Sequence, residues 1–169
     1  MGVPLHNRET NEMKSIEIND ANEFGALTPE KLKEFEQTYG VKLPVDYRSF
    51  LLKYNGGSPE PEIVDFIQYG ESQSDIVNYL CGIHNGEYWA SLEWHMNMFK
   101  GRILAEFIPI GYDPGGNLYL LGVEGEHLGR VYFWDHENEA GIFDEEPSFK
   151  NMSFIANSFT EFLDQLYSE

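Results

Sequence analysis

Apolar residues along this chain keep two rhythms, and the change comes at Asn55-Gly56-Gly57. Before it the spacing is helical. Leu32, Phe35 and Tyr39 follow Thr28-Pro29-Glu30. That triplet is a helix start: a hydroxyl cap, proline at the first helical position, and an acid at the positive end of the helix dipole. Gly40 ends the segment, because glycine takes the left-handed conformation that closes a helix. Pro44 opens a second helix, in which Tyr47, Phe50, Leu51 and Tyr54 stand at i, i+3, i+4 and i+7 on one face. Asn55-Gly56-Gly57 stops it, since the chain must reach positive φ after the last turn. The short link predicts an antiparallel or steeply angled helix pair.

Beyond Gly57 the apolar runs shorten. Residues 63–67, 107–111, 118–123 and 130–134 read as strands, the last three as an antiparallel meander. Asp113-Pro-Gly-Gly-Asn117 is a turn: proline presets φ, glycine supplies the positive φ of a type II turn, and the Asp113 carboxylate bonds nearby backbone amides. Glu124-Gly125 joins the next two strands. Residues 73–81 and 87–99 are predicted helical, the second carrying Trp89, Leu92, Met96 and Phe99. The acidic stretch 135–146 is predicted to be an exposed loop. Ser158 and Glu161 make a capping-box pattern ahead of a closing helix with Phe159, Phe162, Leu163, Leu166 and Tyr167. Residues 1–26 are polar and weakly periodic, so a partly mobile N-terminal segment is expected before a single domain over 27–169. Met13 offers an alternative natural start to Met1.

A chain of 169 residues fits one domain, and a domain of this size buries roughly 70% of its unfolded surface without staples. Cys81 is the lone cysteine, which fits a reducing compartment. No basic region followed by an apolar run marks a secretory signal, and no stretch reaches the ~20 apolar residues of a membrane span. Met1-Gly2 begins like a myristoylation signal, but His6 breaks the match. A soluble cytoplasmic protein is expected. Net charge is −18, and it is uneven: residues 1–60 hold ten acids and seven bases, residues 61–169 nineteen and four. Such a field repels nucleic acid and anionic membrane and attracts a basic partner. Solubility alone accounts for the same count.

Catalytic motifs are missing. There is no phosphate loop, no Gly-x-Gly-x-x-Gly and no His-Glu-x-x-His, and Gly70-Glu-Ser-Gln-Ser74 misses the nucleophile elbow by its last residue. Cys81 and His84 stand three apart, a spacing that a small buried cysteine near a helix end explains more simply than a nucleophile and base. Asp135, His136, Glu137 and Glu139 carry metal-capable groups without the convergent ligand set of a hard cation, so a solvated loop is the simpler reading. No catalytic residue, cofactor or metal is expected. Among Tyr112, Tyr119, Tyr132 and Trp134, strand alternation sends some rings to the core. Any ring facing outward beside the acids would form a binding patch.

The order and spacing of these pieces resemble the SUKH superfamily, the Smi/Knr type. The similarity runs from about Leu27 to Leu166. It rests on Leu43-Pro44 with Asp46, Tyr47 and Phe50, on Asn55-Gly56-Gly57, and on Ile110-Gly111-Tyr112-Asp113 with Gly116 and Asn117. Val131 to Glu137 and the phenylalanine-rich last helix complete it, while residues 71–100 carry little that matches. The resemblance implies an α+β fold, with a mostly antiparallel sheet packed against several helices, and a non-enzymatic role. Bacterial members are largely immunity proteins that neutralise polymorphic toxins; fungal members act in regulating cell-wall synthesis and signalling. The expectation is an immunity protein that occludes the active site of a basic toxin domain from the same organism. A nuclease is the natural candidate, because its cleft must be positive to hold phosphates. The expected contact surface is Tyr112 and Trp134 with Glu124, Glu126, Asp135, Glu137, Glu139, Asp144, Glu145 and Glu146. The alternative is a regulatory scaffold, and the pattern sets no oligomeric state.

Overall fold

The computed structural model describes residues 16–140 and 146–169. The expectations for residues 1–15, for the choice of start and for Asp144 and Glu145 lie outside the described residues. Within them the chain is one compact α+β unit of four α-helices and nine strands, with antiparallel sheets.

Helix α1 (Pro29–Tyr39) starts as its sequence demands: the Lys31 N–H donates to Thr28 Oγ1 at 3.2 Å, and Gly40 closes the helix at φ 65°. Helix α2 (Val45–Tyr54) begins after Pro44 and ends on Asn55 at φ 43°. Leu32, Phe35, Tyr47, Phe50 and Leu51 are buried. Asn55 does more than stop the helix. Its Nδ2 donates to the carbonyls of Gly25 and Ile83, both at 2.9 Å, and its Oδ1 accepts the Ile83 N–H at 2.8 Å. Three segments distant in sequence meet on this one side chain. The glycines after it are forced by close approach: a Cβ on Gly57 would fall 2.5 Å from Ile18 Cγ2, and one on Gly56 would fall 2.9 Å from the Leu80 carbonyl oxygen.

Strands β1 (Glu17–Asn19) and β2 (Ser58–Glu60) pair antiparallel, and β3 (Ile63–Gln68) with β4 (Glu71–Ile76) makes a hairpin. The main sheet has five antiparallel strands in chain order: β5 (Tyr79–Leu80), β6 (Phe107–Tyr112), β7 (Leu118–Gly122), β8 (Val131–Trp134) and β9 (Met152–Ala156). Between β5 and β6 lie a 3-10 turn (Tyr88–Ala90) and helix α3 (Leu92–Met98); helix α4 (Phe159–Asp164) follows β9.

Both faces of this sheet are covered, which is why β7 reads Leu-Tyr-Leu-Leu with every residue buried. Tyr119, Leu121, Val131, Phe133 and Ile155 point into the main core with the helices and the β3–β4 hairpin. There Phe66 stacks on Phe133 at 4.6 Å, and Tyr119 meets Phe162 at 5.7 Å. On the opposite face Leu118, Leu120, Tyr132 and Trp134 form a second core with Ile103 and Phe107, flanked by Phe99 and Met152.

Five sequence expectations change. The predicted helix over 73–81 is absent: 73–76 belong to β4 and 79–80 to β5, because Tyr69 and Gly70, both at positive φ, turn the chain in two residues so that Gln68 pairs with Glu71. The predicted helix over 87–99 breaks at Ser91, whose Oγ caps α3 by accepting the Trp94 N–H at 3.1 Å. The 113–117 turn has its positive φ at Gly116 (96°) and not at Gly115, the pattern of a type I turn followed by a left-handed residue rather than type II. The stretch 135–146 is not an open loop at its start, because Asp135 is buried and 136–138 form a 3-10 turn. Strands β1, β2 and β9 answer to no predicted element. The closing helix ends at Asp164, and Tyr167 pairs back with Ile63.

Candidate functional site

The antiparallel meander β6–β7–β8 has two ends, and the predicted acids divide between them. Asp113, Asn117 and Asp135 to Glu139 stand at the end that carries the β6–β7 turn, while Glu124 and Glu126 stand at the other. Strand β8 separates them, so they do not form the single patch expected.

At the turn end the aspartates are spent on structure. Asp113 is 5% exposed. Its Oδ1 accepts the N–H groups of Gly115 at 2.9 Å and Asn117 at 2.7 Å, and its Oδ2 accepts Asn117 Nδ2 at 2.8 Å. Asn117 Oδ1 in turn accepts the His136 N–H at 2.9 Å, tying the turn to the end of β8. Asp135 takes the Glu137 N–H at 3.0 Å, Asn138 Nδ2 at 2.7 Å and the Tyr69 hydroxyl at 3.0 Å. Asp135, expected on the contact surface, is 8% exposed and holds these local donors. Asp75 on β4 belongs to the same end. It accepts the hydroxyl of the fully buried Tyr119. Burial pushes its carboxyl up to about 6; the Tyr119 hydrogen bond opposes this and neighbouring Asp113 adds to it. Gln68, Gln73, Asp75, Asn117, Asp135 and Glu137 line a polar cleft of about 280 Å³ between hairpin and sheet.

Among the remaining acids, Glu124, Glu126, Glu137 and Glu146 are exposed. Glu139 is held by Arg102 through two bonds of 2.8 and 3.1 Å. Of the two aromatic residues assigned to a partner, Trp134 is 1% exposed and sits in the second core. The reason is the segment around Phe99 to Leu104, which packs over that face of the sheet; Trp134 is therefore a core residue. Tyr112 is half-buried and pairs across the sheet with Tyr79. The outward rings near it are Tyr88 and Trp89, which the helical expectation over 87–99 absorbed. Their signal was the run Glu87-Tyr88-Trp89 inside a stretch without Lys or Arg from residue 54 to residue 99.

Cys81 is fully buried and lies 3.6 Å from His95 Nδ1, not against His84, whose Nε2 faces the Ala90 carbonyl at 3.1 Å. Burial pushes the thiol up and both imidazoles down, so the thiol stays protonated and the rings neutral. Among the described residues no group of three or more His, Cys, Asp or Glu could hold a metal ion, and no helix is long and apolar enough to cross a membrane.

Comparison with known proteins gives two findings. The model of the SMI1 / KNR4 family (SUKH-1) matches residues 26–165. The SPbeta prophage-derived uncharacterized protein YokK of Bacillus subtilis (strain 168) is 30% identical over 166 residues, covering 89% of this chain and 80% of that protein.

Proposed function

This chain belongs to the SMI1 / KNR4 family (SUKH-1), and on that premise we propose that it is an immunity protein, which binds a basic toxin domain and occludes its active site. The observation that carries the reading is the charge distribution: nineteen acids against four bases beyond residue 60, with Glu124, Glu126, Glu137 and Glu146 exposed. A nuclease cleft carries the opposite charge, because it must hold phosphates. Attraction between the two fields raises the rate and specificity of encounter, while buried contact supplies affinity. The similarity to a Bacillus protein supports the bacterial role over the fungal one. In this reading the protein performs no chemistry and acts in the cytoplasm of the cell that makes it.

The test is direct. A basic toxin domain encoded beside the gene is purified and mixed with this protein, and nuclease activity and complex stoichiometry are measured. A one-to-one complex without activity is expected. A toxin that keeps full activity with the protein in excess would sink the proposal.

A further inference from the structure

We propose that the surface formed by the exposed Tyr88 and Trp89 and the half-buried Tyr112, backed by the buried Tyr79, receives an arginine side chain of the partner. Only the partner's identity rests on the immunity reading. Tyr79 and Tyr112 are cross-strand partners with ring centroids 6.0 Å apart and planes 28° from parallel. Trp89 meets Tyr79 edge-on at 5.2 Å and Phe24 at 5.6 Å. Tyr88 is 57% exposed and Trp89 37%.

These rings are held in place, not waving. The 3-10 turn that bears them is clamped to the chain after β5: Gly82 N–H donates to the Ala90 carbonyl at 3.0 Å, and Leu92 N–H donates to the Gly82 carbonyl at 2.8 Å. Gly82 is itself locked, since a Cβ there would fall 2.1 Å from the Asn55 carbonyl oxygen. Two exposed rings on a fixed turn are pre-organised for contact, which lowers the entropy lost on binding.

Charge selects the occupant. Asp20, Glu23 and Glu87 are exposed around the rings, and the first two act electrostatically on the Tyr79 hydroxyl. The segments that build the surface, 20–25, 78–90 and 107–113, contain no Lys or Arg. Lys31 shares a cavity with Phe24 and His84 next to these rings; exposed rings beside carboxylates suit a guanidinium, which stacks on the ring and donates in a planar fork. A lysine would keep the charge and lose the stacking. A second copy of this chain is disfavoured, because each carries −18 and would bring the same acids face to face.

The test uses hexa-arginine amide and hexa-lysine amide as probes, with the indole N–H signals of the tryptophans followed by NMR. Saturable movement of the Trp89 signal is expected, with the Trp134 signal unmoved and arginine at least fivefold tighter than lysine. Trp89→Ala and, separately, the more exposed Tyr88→Ala should each weaken arginine binding at least threefold by titration calorimetry while the Trp134 signal stays in place as a report of the fold. An unmoved Trp89 signal, or equal affinity for the two peptides, would overturn the assignment. Toxin assays separate it from the broader reading. Should wild type and both variants inhibit the toxin alike, the arginine surface fails and the immunity role stands. Should the peptide bind as expected and no toxin be inhibited, the immunity role fails and the surface stands.

Discussion

At one end of the β6–β7–β8 meander, Asp113 and Asp135 fill their oxygens with backbone and side-chain donors; at the other, Glu124 and Glu126 stand in solvent, and Glu126 has His127 beside it at 3.7 Å. The sequence counts all four as equal charges, and the fold does not. The short carboxylates sit where the chain turns and reach amides two to four residues ahead. The longer ones flank a glycine on a loop, and among the described residues the one ion pair they make is Glu126 with His127. A net charge therefore overstates the charge on offer to a partner, and the tryptophans show the same division: Trp134 is 1% exposed and Trp89 is 37% exposed.

Substitutions should widen these contrasts. The largest loss is expected for Trp134→Ala, which empties part of the second core and should cost about 3–5 kcal/mol by chemical denaturation. A loss below about 1 kcal/mol would mean that the ring is not core. Asp113→Ala comes next. It leaves the Gly115 and Asn117 amides without their acceptor and should cost about 2–3 kcal/mol; a neutral result would return Asp113 to the list of free charges. Lysine at both Glu124 and Glu126 should change stability by less than about 1 kcal/mol, since each site alone falls within roughly 0.5.

Asp75 gives the comparison a pH axis. Its folded pKa of about 6 lies above the ordinary 3.8. As pH rises from about 4 to about 6, the unfolded chain gives up this proton while the native state keeps it. Stability from this group therefore falls across that window and is lowest above it. Asp75→Asn should flatten that part of the stability–pH curve while keeping an acceptor for Tyr119. An unchanged slope in denaturation midpoints across the window would contradict the assignment.

Much of the helical half was legible because its punctuation is local: Thr28-Pro29, Gly40 and Asn55 each act within a few residues of the helix they bound. Strand β4 was not, because Glu-Ser-Gln-Ser-Asp-Ile lies largely on the surface and shows no apolar alternation; its one cue was the two-residue turn at Tyr69-Gly70. The burial of Trp134 depends on residues around 99–104, about thirty positions away, and no local pattern states which face a distant segment will cover. Tyr112, expected on the contact surface, is half-buried. Tyr88 and Trp89 were hidden inside a helix expectation that ran across the Ser91 cap.

The most direct measurement of the central proposal is the association rate with the basic toxin domain across a salt series, for wild type and for a variant carrying lysine at Glu124, Glu126, Glu137 and Glu146. Acidic steering requires the wild-type rate to fall as salt rises, and the variant to associate at least tenfold more slowly at low salt with an unchanged denaturation midpoint. Equal rates with equal salt dependence would show that these exposed acids do not guide the partner.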